Sequence, residues 1–97
     1  MEVVITSSNR PDKRLQAKFE NKTVHFGSKD GRTFIDHKDR KVKDAWIARH
    51  KVRENWGDYR TAGSLAKNIL WNKRSIKASI DDLNKRQKQY KFTFKTQ

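Results

Sequence analysis

The sequence predicts an α+β fold, a small antiparallel β-hairpin or three-stranded sheet packed against about three α-helices. Apolar and polar residues alternate from Leu15 to Phe26, and apolar residues recur at helical spacing between Trp46 and Leu83. A chain of 97 residues also suits one core rather than two. Residues 1–36 then form a hairpin region, 37–88 a helical region, and 89–97 a terminal strand or tail of a single domain.

Val3-Val4-Ile5 is a β-branched run that reads as a short strand, closed by a turn-forming cluster from Thr6 to Asp12 that holds the sole proline, Pro11. Leu15, Ala17 and Phe19 point one way along the next strand while Gln16, Lys18 and Glu20 point the other. After the break Glu20-Asn21-Lys22, Val24 and Phe26 continue the apolar face, which leaves His25 on the polar one. The loop Gly27–Arg32 has two glycines, but their spacing matches no phosphate-binding or dinucleotide fingerprint.

Asp36 or Asp39 can cap a helix running from about Arg40 to Arg53. With Trp46 at the centre of its inner face, Val42, Ala45, Arg49, His50 and Arg53 share that side, and Arg40, Lys41, Asp44, Ala48 and Lys51 face solvent. Thr61 caps a second helix through about Trp71, striped by Ala62, Leu65, Ala66, Ile69 and Leu70. Ser75 caps a third, with Ile76, Ile80, Leu83 and Gln87 in line, ending near Lys88. Trp46, Leu65, Ile69, Ile76, Ile80 and Leu83 are the expected helical contribution to the core. Tyr90–Lys95 alternates again, either as a last strand beside the hairpin or as an exposed tail.

Leu, Ile, Val and Phe number only 20 of 97, so the core must be small and rich in aromatics. Lys and Arg exceed Asp and Glu by 24 to 11, a net charge of +13. That excess points to a polyanionic partner, because phosphate backbones reward cations through counterion release. The chain has no cysteine, which excludes disulfides and thiolate metal sites. It shows no secretory signal and no transmembrane segment, and reads as a soluble protein.

Several spaced elements recur in order: Phe26-Gly27, His37 with Asp39, Trp46 with Arg49-His50, Glu54 with Trp56, Thr61-Ala62-Gly63, and Ile69-Leu70-Trp71 with Lys73. On these, roughly residues 15 to 83 resemble a functionally uncharacterised family of small basic proteins encoded by large double-stranded DNA viruses of algae and amoebae. Trp46 stands where that pattern has tyrosine, and Arg74 where it has proline. The resemblance implies a viral origin and a place in the virion, or in the host cytoplasm or viral factory during infection. It supplies no activity and no site residues.

His25, His37 and His50 include no pair at helical i, i+4 spacing, so neither a metal nor another cofactor is expected. Arg49, His50, Asp39 and Glu54 hold the groups a small nuclease would use. The stronger reading is a structural polar network of His37, Asp39, Arg49, His50 and Glu54 that ties loops to the first helix, since unpaired buried charge is costly. Residues 38–53 hold seven cations and two anions, and residues 83–97 five cations and no anion. These segments nominate Arg40, Lys41, Lys43, Lys51, Arg53, Lys85, Arg86, Lys88, Lys91 and Lys95 for a partner surface. Tyr90, Phe92 and Phe94 read as the inward face of a strand rather than as a stacking platform for bases.

The leading expectation is a non-enzymatic, virion-associated protein that binds nucleic acid, DNA first, without reading sequence, in packaging or condensation. A minor capsid or cement protein, whose cations meet acidic coat subunits, is second. A phosphodiester-cleaving enzyme is third.

Overall fold

A computed structural model describes residues 1–95. β1 (Glu2–Ser7), β2 (Lys13–Lys18) and β3 (Thr23–Ser28) form an antiparallel meander, and β4 (Lys91–Phe94) adds to the free side of β1. The sheet order is β3-β2-β1-β4, with β4 parallel to β1. The α+β class holds, but the sheet has four strands and is mixed rather than antiparallel. The helices consumed between β3 and β4 return the chain to the start of β1, as a parallel neighbour requires. Of the terminal segment, the strand reading therefore applies to Lys91–Phe94, and residues 96–97 lie outside the described residues.

Register places the apolar residues on one face: Ile5 opposite Ala17, Leu15 opposite Phe26, and Val3 opposite Phe92. All six are buried. On the other face Val4 pairs with Lys18 and Gln16 with His25, whose Nδ1 lies 2.7 Å from the Ser8 hydroxyl. The helices cover only the apolar side, so this face needs no second layer.

A one-turn helix, α1 (Phe34–His37), follows β3. Its Asp36 carboxylate accepts from the Thr33 backbone N–H at 2.7 Å and the Thr33 hydroxyl at 3.0 Å, and from Arg14 Nη1 at 2.6 Å. The Arg14 guanidinium, ahead of the Thr33 bonds, holds the Asp36 carboxyl well below the usual carboxylate range, against a smaller opposing push from burial. An unfolded aspartate titrates near about 3.9, so this contribution is complete above roughly pH 5 and is lost as pH falls toward the depressed folded value. Solvent screening keeps it modest, since the pair is part-exposed. In urea unfolding between about pH 5 and about pH 2, Arg14→Gln should flatten the acid limb of the stability profile relative to the unsubstituted protein.

Lys38, at φ 55°, turns the chain out of α1. Asp39 then donates its backbone N–H to His37 Nδ1 at 3.0 Å and accepts from the Lys41 and Val42 N–H groups, so it caps α2 (Arg40–Lys51) while Asp36 serves α1. No residue of α2 is buried. Trp46 is half-buried rather than a core residue, because α2 rides at the edge of the helical layer.

Thr61 caps α3 (Ala62–Leu65), which runs into a single π turn over Ala66–Leu70 closed by Trp71 N–H donating to the Ala66 carbonyl at 3.0 Å. The wider turn admits an extra residue, and Trp71 goes inward beside Ile69 and Leu70. Ser75 caps α4 (Ile76–Arg86), which buries Ile80 and Leu83 but leaves Ile76, in its first turn, half-buried. Gly27 sits at φ +79° where a Cβ would lie 2.6 Å from Leu70 Cδ1. Glycine is required there on both counts.

Candidate nucleic-acid interface

The N-terminal turn of α2 and the segment between the π turn and α4 enclose a pocket of about 370 Å³. Phe34, Arg40, Lys43, Asn72, Lys73 and Arg74 line it, four cations with no acid among them. Lys43 is turned inward: its ammonium donates to the Asn72 carbonyl at 2.7 Å and lies 4.8 Å from the centre of the Phe34 ring. Burial first, then the positive fields of Arg40 and Lys73, holds its pKa below the usual lysine range. The carboxylates of Asp44 and Asp82 offset those fields in part. Arg40, Lys73 and Arg74 are exposed and form no ion pair among the described residues.

Along the inner side of α2 runs a column of rings. His50 stacks on Trp46 with centroids 4.2 Å apart, Trp46 on Trp71 at 4.8 Å, and Trp71 meets His37 at 5.5 Å in a tilted pair. Trp71 and His37 lie toward the N-terminal end of α2, where Lys43 reaches Asn72, and His50 lies one turn beyond Trp46. Trp46 is thus sandwiched, and His50 ends the column at the surface.

Beside this column, between α2 and α3, opens a cleft of about 560 Å³. Its apolar floor includes Val42, Trp46, Ala66 and Leu70, and Arg32, Arg49, His50 and Glu54 supply its polar groups. The Glu54 carboxylate rests against Gly63, in the space a Cβ at that position would fill. Gly63 thereby seats the only carboxylate in the lining.

The expected polar network forms only in part. His37 and Asp39 are joined through the Asp39 N–H, whereas Arg49, His50 and Glu54 face the cleft. The loops are tied instead by a chain that sequence reasoning missed. Ser64 Oγ donates to the Trp56 carbonyl at 3.0 Å, the buried Asn68 donates to the Ser64 carbonyl at 2.9 Å, and Arg86 donates to Asn68 Oδ1 at 2.9 Å. Arg86 Nε and Asn72 Nδ2 then converge on Asp82 at 2.7 and 2.8 Å. These two bonds, Asn72 first, lower the Asp82 pKa. Arg86 is therefore committed within the fold and is a poor candidate for a partner surface.

Of the other nominated cations, Lys41, Lys51 and Arg53 are exposed on or just beyond α2. Lys85 and Lys95 are exposed, and Lys88 and Lys91 line a separate shallow pocket with Tyr90 at the α4–β4 turn. The two basic segments are not merged into one pocket. Lys73 and Arg74, which are not among the cations nominated from sequence, complete the cationic pocket; two adjacent cations before an N-cap were the available signal. The three histidines lie apart, on β3, α1 and α2, and among the described residues no group of three His, Asp or Glu side chains converges as a metal site would need.

Residues 3–50 match a family of unknown function, DUF5754, over a stretch from β1 to the penultimate residue of α2. The matched stretch carries Phe34, Arg40 and Lys43 of the cationic pocket but not Lys73 and Arg74. No curated protein and no solved structure matches the chain. Among the described residues no helix is long and apolar enough to cross a membrane.

Proposed function

We propose that this protein binds nucleic acid through the phosphate backbone, without catalysis and without reading duplex sequence, as a genome-associated component of a virion. The cationic pocket carries the proposal. Arg40, Lys43, Lys73 and Arg74 converge there from two segments of chain with no lining carboxylate, which suits a multiply charged anion better than a protein surface of mixed charge. The exposed Lys41 and Lys51 extend the positive surface along α2. The net charge of +13 supports the same reading, and the resemblance to proteins of large DNA viruses supports the viral setting.

A non-enzymatic role is supported by how His50 and Glu54 are held: the imidazole stacks on Trp46, the carboxylate lies against Gly63, and among the described residues no hydrogen bond joins them as an acid–base pair. In a titration of duplex DNA against salt, phosphate contacts by Arg40, Lys73 and Arg74 give a log–log slope of about −2.7, and Lys41 and Lys51 bring it toward about −4.5. A slope near zero overturns the proposal.

A further inference from the structure

We infer that the cleft between α2 and α3 receives an unpaired guanine of a nucleic-acid strand, with Glu54 accepting from the base and Arg32 and Arg49 meeting the flanking phosphates. The inference rests on the nucleic-acid reading above and names what the second concavity of the same surface takes.

The volume of about 560 Å³ lies within the span of about 300–1,000 Å³ common to small-ligand sites. Its floor is apolar, and Val42 on α2 is 43% exposed, a large aliphatic side chain left open beside cations. Arg32 and Arg49 are exposed and lack a carboxylate partner among the described residues. An occupant complementary to both is flat and weakly polar at its centre and anionic at its ends. A nucleotide within a strand has that form, and a duplex cannot present it, because its bases are already stacked and paired. The exposed His50 ring, backed by Trp46, adds an aromatic surface of the kind on which single-stranded bases stack.

Glu54 decides which base. An ionised carboxylate only accepts hydrogen bonds. Guanine alone offers two adjacent donors on its pairing edge, the ring N1–H and the exocyclic amine. Adenine and cytosine set a ring acceptor beside their amine, where it would face the carboxylate lone pairs, and thymine flanks its one N–H with carbonyls. The seat of this carboxylate depends on Gly63 having no side chain. Gly63→Ala places a methyl group in that seat and expels the end of a flexible side chain, while alanine favours the helix, so the fold is kept.

The test compares short oligothymidylate with the same strand carrying a single guanine, for the unsubstituted protein, Glu54→Gln and Gly63→Ala, with tryptophan fluorescence as the readout. The guanine strand should bind the unsubstituted protein about tenfold more tightly, the range expected of one well-placed base. Both variants should lose that preference while keeping their melting temperatures. A preference absent from the unsubstituted protein, or retained by both variants, overturns the inference and leaves backbone binding standing. Failure of every strand to bind at low salt removes the nucleic-acid reading itself, and this inference with it.

Discussion

Replacing Arg40, Lys73 and Arg74 together by alanine should weaken duplex-DNA binding roughly a hundredfold at low salt and flatten the salt slope by about 3. All three are exposed and line one pocket, so their loss removes phosphate contacts without opening the core. Lys43 is left in place, because its bond to the Asn72 carbonyl and its position over Phe34 hold α2 to the rest of the fold. A matched triple, Lys85→Ala, Lys88→Ala and Lys91→Ala, removes the same charge at the far end of the chain. If both triples weaken binding equally, net charge and not the pocket governs the interaction. If only the first flattens the slope, the pocket is the seat of the phosphates.

Trp71→Ala should lower stability by about 3–5 kcal/mol, the loss typical of a large aromatic removed from a packed site. For a domain of this size that is a fall in Tm of about 15 °C or more, readable by circular dichroism on heating. Trp71 is only 7% exposed, stacks on Trp46 and meets His37. His50→Ala, at the exposed end of the same column, should cost a small fraction of that. Equal effects at the two positions would mean that the column is not anchored from within, as its burial gradient implies.

Features set by a few neighbouring residues were legible in the sequence. Asp39, Thr61 and Ser75 each cap the helix expected of them, because an N-cap depends on the reach of one side chain to N–H groups two or three residues on. Strand alternation was equally local. The parallel pairing of β4 with β1 was not, since nothing in either segment encodes its distant neighbour. The π turn has no propensity signature, and the helix expected through about Trp71 gives no sign of it. Charge alone nominates Lys43 for a partner surface, although at about 100° per residue it stands only about 60° from Trp46. Half of the cationic pocket was therefore visible as Arg40 and Lys43, and the other half arrived through tertiary folding.

The pairing of Val3 with Phe92 and of Ile5 with Phe94 also constrains the order in which the sheet can assemble. As the chain emerges from the ribosome, β1 can pair with β2 and β2 with β3 at once, but the other edge of β1 stays open until residues 91–94 appear. Contacts of such long sequence separation slow folding, because loop closure comes before any gain from pairing. The β1–β4 pairing is thus the last in the sheet to become available, and until it forms a β-branched edge is exposed to neighbouring chains.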